Sequence, residues 1–316
     1  MEYRNIGNSG LKSSVFALGG WRNFGFRLDD KQTDKIIRTA VDAGITTFDT
    51  ADVYGPAEAA MGNVFQKLKR SDLVIATKCY WPISDNINDR GLSRKHIRES
   101  VEQSLTRLKT DYVDLFLCHR FDEETPLRET IRTFDDLIRQ GKILNWGSSA
   151  WQADQLEQAI AICEQEGYEP PIVEQSEFSL VHPEPMLNDV QVTSAKHGIG
   201  LMCWSPLAAG LLAGKNLNGI EPSSLLASVS AGLSSKYHNT RNIEKAKRMQ
   251  MLATQWHMPM ASIALQWLLQ QTNVASIVMG VSSLTQLQEN LASLTHTLTT
   301  EQLAMVNDLF QISGEL

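Results

Sequence analysis

The chain has 316 residues, of which 42% are hydrophobic and 21% charged, so it can bury a large core and is neither a disordered chain nor a coiled coil. Acidic residues outnumber basic ones by 36 to 29, which excludes a generic binder of nucleic-acid phosphates. No apolar run reaches the ~18 residues that a membrane helix needs. Residues 1–5 (MEYRN) show no signal peptide, so a cytoplasmic protein is expected.

The cysteines predict neither a zinc site nor a disulfide framework. Cys79, Cys118, Cys163 and Cys203 lie about forty residues apart, without a C-x-x-C pair. Such spacing is typical of buried or half-buried free thiols in a reducing compartment, and no metal site is expected.

Short apolar runs alternate with amphipathic stretches along the chain. Residues 3–12 predict a hairpin, and the next apolar run ends at Gly20. Later runs end, in chain order, at Asp49, Lys78, His119, Ser148, Gln175, Ser205 and Gly280. Helical spacing of apolar residues between these runs is clearest over 97–108, 127–138 and 284–294.

The spacing of the strand ends predicts a closed barrel. Most steps are about 30 residues, the length of one strand–helix unit, and eight such units are typical of a (β/α)8 TIM barrel. A doubly wound sheet is the competing fold, but no G-x-G-x-x-G fingerprint follows any strand. We predict one α/β domain over residues 1–316, with an N-terminal β-hairpin (1–14) plugging the barrel floor. A long insertion is expected after strand seven, at about 207–256, and its Ser-, Ala- and Gly-rich part at 223–235 predicts a mobile flap.

Four reactive side chains fall at or just after the C-terminal ends of predicted strands, where barrel enzymes place catalytic groups. Asp49 ends the second strand, Tyr54 follows in the same loop, Lys78 ends the third strand and His119 ends the fourth. Each residue alone often has a structural role, such as a helix cap or a solvated charge. Because successive strand ends surround one barrel mouth, we expect the four to meet in one site.

The chemistry of this set is coherent for carbonyl reduction. A phenol pKa near 10 is too high for an acid at neutral pH. Lys78, held charged by Asp49, is expected to lower the pKa of Tyr54, which would protonate a carbonyl oxygen that His119 also contacts. No side chain donates hydride, so a nicotinamide or flavin is implied. An aldolase with a Schiff base on Lys78 is an alternative that the neighbouring Asp49 opposes.

The ordered motifs resemble those of the aldo-keto reductase superfamily along the whole chain. They are residues 48–55 (FDTADVYG), 76–78 (ATK), 118–120 (CHR), 204–215 (WSPLAAGLLAGK) and 280–291 (GVSSLTQLQENL). Residues 3–11, 119–120 and 174–175 are most similar to the branch of the potassium-channel β-subunits and their bacterial relatives. The resemblance implies Tyr54 as general acid, Lys78 and Asp49 as its pKa-lowering pair, and His119 as an orienting and polarising donor.

The resemblance also implies an NADP(H) cofactor that is bound without a Rossmann domain. Ser149 and Gln175 would hold the carboxamide, and Trp204 would stack on the nicotinamide. Further implied contacts are Trp21, Asp49, Pro206, Gly210 and Gly280, with Ser205 and Leu207 lining the pyrophosphate and Lys215, Ser282, Gln286, Glu289 and Asn290 addressing the adenosine end.

Three positions depart from the family pattern. Ala150 stands where relatives usually carry Asn or Arg, and Ser223 and Leu225 stand where the channel β-subunits have a Tyr and an Arg near the adenosine phosphate. The missing Arg removes a bidentate phosphate partner, so NADPH is the expected cofactor but NADH is less excluded than usual. The cations that could still meet a phosphate are Lys215, Lys236 and Arg241.

The substrate site is expected to have an aromatic wall. Aromatic residues follow several strand ends, and the predicted substrate contacts are Trp21, Tyr54, Tyr80, Trp81, His119 and Trp151. The expected partner is a small or medium-sized aldehyde or ketone, and a homo-oligomer is compatible with the sequence. A competing interpretation is an NADP(H)-binding redox-sensing or regulatory module with slow turnover, which the likeness to channel subunits suggests.

Overall fold

The computed structural model, which describes residues 1–312, contains a closed barrel of eight parallel strands, as predicted. An antiparallel hairpin, β1 (Tyr3–Asn5) and β2 (Lys12–Ser14), precedes it. The barrel strands are β3 (Phe16–Gly19), β4 (Thr47–Asp49), β5 (Val74–Cys79), β6 (Val113–Cys118), β7 (Ile143–Ser149), β8 (Val173–Glu177), β9 (Gly200–Trp204) and β10 (Val274–Gly280). Each strand pairs with the next in chain order, and β10 closes the barrel against β3.

Helices cover the outside of the barrel and begin and end at recognisable signals. Asp29 and Ser93 accept backbone hydrogen bonds at helix starts, and Gly44 (φ +89°) follows the end of the first helix. None of the helices within residues 1–312 is both long and apolar enough to cross a membrane. The helices are α1 (Asp30–Asp42), α2 (Ala57–Phe65), α3 (Arg94–Leu108), α4 (Leu127–Arg139), α5 (Ala153–Glu166), α6 (Glu184–Leu187), α7 (Val190–Lys196), α8 (Leu225–Ser228), α9 (Ala231–Tyr237), α10 (Thr240–Gln255), α11 (Met260–Leu269), α12 (Leu284–Ala292) and α13 (Thr300–Phe310).

Two apolar layers stabilise the barrel. Inside it, apolar side chains from alternate strand positions, such as Ala17, Leu117 and Met202, form a compact core. A larger layer lies between the strands and the helices, and it includes Phe48, Phe116 and other outward-facing residues. All four cysteines are free and buried, as their spacing predicted.

The N-terminal hairpin closes the floor of the barrel, as predicted. Ile6 is completely buried in the inner core, and Arg4 donates to the carbonyls of Leu269 and Val274 at 2.9 and 2.8 Å. Gly7 has φ +56°, and a Cβ at that position would lie 2.1 Å from the carbonyl oxygen of Gly198. Only glycine therefore allows this turn to pack against the barrel.

The segment after β9 forms the predicted insertion, and much of it is helical. It starts with a 3-10 helix (Ala208–Ala213) and continues through α8, α9 and α10. The part predicted to be a flap is held against the barrel, because Arg22 and Arg27 donate to the carbonyls of Ser228 and Ser223. The insertion thus folds over the C-terminal mouth of the barrel.

Candidate active site

The two-residue alternation of the strands directs the predicted catalytic residues into the barrel. On β5, Val74 and Ala76 belong to the inner core, so Lys78 points inward at the end of the same face. On β6, Leu115 and Leu117 place His119 in the same way, just beyond the strand. The apolar residues of each strand thus fix the direction of the polar residue that follows.

A buried ion pair connects two of these strand ends. The Nζ atom of Lys78 lies 2.7 Å from Oδ1 and 2.8 Å from Oδ2 of Asp49, and it donates to the carbonyl of Thr50 at 2.7 Å. The Lys78 side chain is fully buried. Burial lowers the pKa of Lys78, and the Asp49 carboxylate opposes that shift. An ion-paired ammonium is a poor amine nucleophile, which argues against the Schiff-base alternative.

Tyr54 and His119 lie beside this pair. The Tyr54 hydroxyl is 3.3 Å from Nε2 of His119, and the ring centroids are 5.5 Å apart. The Nζ atom of Lys78 lies 5.1 Å from the Tyr54 ring centroid. The structure therefore brings all four predicted catalytic residues together in one cluster at the mouth.

The pKa of Tyr54 is raised in this structure, not lowered as the sequence predicts. Burial raises the pKa of Tyr54, and the negative charge of Asp49 adds to the increase. The ammonium of Lys78 faces the phenol ring, while its hydrogen bonds go to Asp49 and Thr50. Tyr54 thus holds its proton as a neutral phenol, the form that a proton donor needs.

His119 is a neutral imidazole in this environment. Burial lowers the pKa of His119 to about 2, and the positive charges of Lys78 and Arg120 contribute to the shift. Its Nδ1 atom is buried and has no hydrogen-bond partner within residues 1–312. His119 can therefore orient a hydroxyl or carbonyl through Nε2, but it does not supply a second proton.

Because His119 is neutral, we expect its ring not to take up a proton between pH 5 and 8. In proton NMR spectra, the ring signal of His119, assigned by its loss in His119→Asn, is expected to keep one chemical shift from pH 5 to 8. A pKa lowered in the folded state leaves the imidazole uncharged throughout this range. A midpoint near pH 6.5 for this signal would show instead that the ring is as easily protonated as in water.

Ser149, the last residue of β7, pairs with Gln175 in the middle of β8, where the carboxamide of the cofactor is predicted. The Ser149 hydroxyl donates to the backbone carbonyl of Gln175 at 2.8 Å. The Gln175 amide donates across the barrel to Oδ1 of Asp49 at 2.7 Å. Both side chains are buried, and the amide directly connects the predicted cofactor site to the Asp49–Lys78 pair.

The loop after β9 has a backbone shape that suits a phosphate group. Ser205, Ala208, Ala209 and Gly210 all have positive φ angles, between 47° and 95°. Such strained positions cluster at functional sites, and turns of this kind orient N–H groups toward anions. The Lys215 side chain crosses Gly210, where an added Cβ would lie 3.3 Å from Lys215 Cδ. These residues fit a dinucleotide cofactor.

The other predicted adenosine contacts lie just before α12, which follows β10, and along that helix. The backbone N–H of Ser282 donates to Oε1 of Gln286 at 3.0 Å, while Glu289 is exposed and Asn290 is buried. Gly280 is exposed beside them. These residues lie next to the mouth of the barrel, beside the loop after β9, because β10 and β9 are neighbouring strands.

Two of the cations suggested as phosphate partners have protein partners instead. Lys236 forms an ion pair with Glu177 at 2.5 Å, and Arg241 donates to Gln311 at 3.2 Å. Leu225 lines a small apolar cavity of about 30 Å³ with Trp21 and Trp204. Among the three suggested cations, Lys215 is the one without an ion-pair or hydrogen-bond partner for its ammonium within the described part of the chain.

The predicted aromatic wall is partly exposed and partly buried. Trp21 and Trp81 are 37% and 39% exposed, and Tyr80 packs edge-on against Trp81 with the ring centroids 5.1 Å apart. Trp151 is only 1% exposed and packs against Phe121. Its ring belongs to the apolar layer between the strands and the helices and offers almost no surface to a substrate in this structure.

Two charged residues near the cluster were not among the predicted site residues. Arg120 follows His119 directly, and Glu174 precedes Gln175 on β8. Glu174 accepts hydrogen bonds from Ser148 and Ser176, yet burial raises its pKa to about 7. The sequence carries a signal for both, because they adjoin predicted site residues, but that signal alone indicates only the family branch.

Comparison with known proteins agrees with this geometry. Residues 16–310 match the Aldo/keto reductase family. A probable voltage-gated potassium channel subunit beta from Arabidopsis thaliana is 37% identical over 302 residues, which cover 92% of this chain and 90% of the relative. A protein of the same description from Oryza sativa subsp. japonica is 36% identical over 305 residues, covering 93% and 91%. Since the family match extends from the first barrel strand to the last helix, the chain belongs to the aldo/keto reductase family.

Proposed function

We propose that the protein reduces aldehydes or ketones to alcohols with NADPH. The observation that carries the proposal is the cluster at the mouth, where the neutral Tyr54 phenol lies between His119 and the buried Asp49–Lys78 pair. When bound, NADPH supplies the hydride, which no side chain can provide. The protein's own groups position the carbonyl and supply the proton.

Each residue of the cluster has a distinct part in the proposed reaction. Tyr54 donates its hydroxyl proton to the carbonyl oxygen of the substrate. Lys78 stabilises the resulting phenolate, because its ammonium lies 5.1 Å from the ring centroid. Asp49 holds that ammonium in place through two close contacts. His119, neutral and within 3.3 Å of the hydroxyl, orients the oxygen atoms between which the proton moves.

The cofactor is proposed to lie across the ends of β7 to β10. Ser149 and Gln175 would meet the carboxamide, Trp204 would stack on the nicotinamide, and Lys215 would approach a phosphate near Gly210. The left-handed loop after β9 and the Lys215 ammonium, which has no partner within the described residues, support this placement.

A titration with NADPH is expected to quench tryptophan fluorescence, because Trp204 is proposed to stack on the nicotinamide ring.

Lys215→Ala is expected to weaken NADPH binding by about tenfold or more, which corresponds to the loss of one charge-assisted contact, and to affect NADH binding much less. The control is Lys196→Ala, which removes a lysine at the end of α7 that pairs with Glu157 on α5. An unchanged preference for NADPH in Lys215→Ala would show that the 2′-phosphate binds elsewhere.

A second candidate function is suggested by the relatives, whose descriptions name them probable channel subunits. In this alternative, the barrel binds NADP(H) tightly and regulates a partner, and it oxidises bound cofactor slowly. Incubation of the protein with NADPH in excess and a panel of aldehydes distinguishes the two. Many turnovers per molecule support the enzyme, whereas oxidation of one equivalent of cofactor supports the regulatory module.

A further inference from the structure

Arg120 occupies the mouth of the barrel beside the proposed reaction centre. It follows His119, and its guanidinium carbon lies 5.6 Å from the ring centroid of Trp81. The Trp81 ring in turn lies 6.2 Å from that of His119. The Nη1 atom of Arg120 donates to the carbonyl of His119 and lies 3.5 Å from the Ser149 hydroxyl. The guanidinium therefore lies between the predicted substrate wall and the predicted carboxamide site.

This guanidinium has no carboxylate within ion-pair distance in residues 1–312, although it is half-buried. Two carboxylates at the strand ends around the mouth have other cationic partners. Asp49 contacts Lys78, and Glu177 contacts Lys236. Neither forms an ion pair with Arg120.

The third nearby carboxyl, Glu174, is also a weak counter-charge. Its two oxygens accept hydrogen bonds from the hydroxyls of Ser148 and Ser176. Burial raises the pKa of Glu174 to about 7, so this group is only partly ionised at neutral pH. Arg120 thus carries a positive charge that Glu174 and Glu177 attract from a distance but that no carboxylate within the described residues contacts directly.

Part of the guanidinium has N–H groups without a protein acceptor. Its Nε and Nη2 atoms donate to no acceptor within the described residues. Neither atom is fully buried, so both remain accessible from the mouth. A planar guanidinium with accessible N–H groups matches a carboxylate through two parallel hydrogen bonds. A partly desolvated charge of this kind favours an anionic partner.

We propose that Arg120 binds a carboxylate group of the substrate, so that the protein prefers aldehydes or ketones that carry a carboxylate. This inference rests on the proposed function, because it places the acidic group beside a carbonyl held at Tyr54 and His119. The partly exposed rings of Trp21 and Trp81 provide apolar surface for the part of the substrate that joins the two groups. Arg120 would then determine specificity without taking part in proton transfer.

The test compares two probes that differ in one charge, 4-carboxybenzaldehyde and its methyl ester, with NADPH and the full-length protein. Arg120→Met is expected to lower kcat/KM for the acid by about 10- to 100-fold, mainly through KM, and to change kcat/KM for the ester by less than about threefold. Arg120→Lys, which keeps the charge but loses the paired donors, is expected to fall between wild type and Arg120→Met. Equal losses for both probes would overturn the proposal and indicate a role in cofactor binding or folding.

A binding experiment separates this inference from the proposed reaction. Benzoate is expected to raise the Tm of the NADPH-bound wild-type protein more than benzamide does, and Arg120→Met is expected to abolish the difference. If neither aldehyde is reduced but benzoate binding depends on Arg120, the proposed reaction fails and the carboxylate site stands. If benzoate and benzamide act alike on the wild-type protein, the carboxylate site is wrong, whatever the turnover.

Discussion

Tyr54→Phe is expected to lower kcat and kcat/KM for carbonyl reduction by about 10²- to 10⁴-fold, the usual contribution of a positioned general acid. The substitution removes one hydroxyl and keeps the ring, which packs against the apolar layer and faces Lys78. Both kinetic constants should fall together, because the proton is transferred only in the transition state. NADPH binding, measured by tryptophan fluorescence, should remain close to that of the wild-type protein.

The matched control is Tyr112→Phe, which removes a phenol hydroxyl just before β6, at the opposite end of the barrel from the mouth. The Tyr112 ring stacks on Arg70 with its centroid 3.9 Å from the guanidinium carbon, and phenylalanine keeps that contact. Activity should therefore change little in this variant. If Tyr54→Phe itself reduced aldehydes at nearly the wild-type rate with NADPH bound, the proton would have to come from another donor, such as water.

The position of the four clustered residues could be predicted because it depends on repetitive features. The spacing of strand ends predicts the number of strand–helix units. The two-residue alternation along β5 and β6 determines which side chains face inward. Lys78 and His119 meet for this reason. No contact distant in sequence had to be known, since successive strands in the chain are neighbours in the barrel.

The properties that depend on non-repetitive contacts could not be predicted. The pKa of Tyr54 is raised because burial and the negative charge of Asp49 outweigh the opposing positive charge of Arg120, and no local pattern reports that balance. The sequence leaves Lys236 as a candidate phosphate partner, because its contact with Glu177 joins two elements that are distant in the chain. Trp151 follows a strand end like Trp81, yet its ring packs into the apolar layer, where it is almost fully buried.

Lys78→Met is expected to reduce both activity and stability. Removal of one partner from a buried ion pair leaves an uncompensated charge, which costs about 3–5 kcal/mol. Here the stranded group is Asp49, which is 3% exposed and would retain only the hydrogen bond from the Gln175 amide. Equilibrium unfolding in urea should show a lower free energy of unfolding, and carbonyl reduction should fall by about as much as in Tyr54→Phe.

The double variant Asp49→Asn/Lys78→Met separates the two effects. It removes the stranded charge and leaves a neutral amide that can still accept the hydrogen bond from Gln175, so much of the lost stability should return. Activity should not return, because no ammonium remains near the Tyr54 ring to stabilise the phenolate. If the double variant were as unstable as Lys78→Met, the loss would come from the packing of the lysine chain in the barrel. If it regained activity along with stability, Lys78 would serve the fold alone, and the proposed proton transfer would not need its charge.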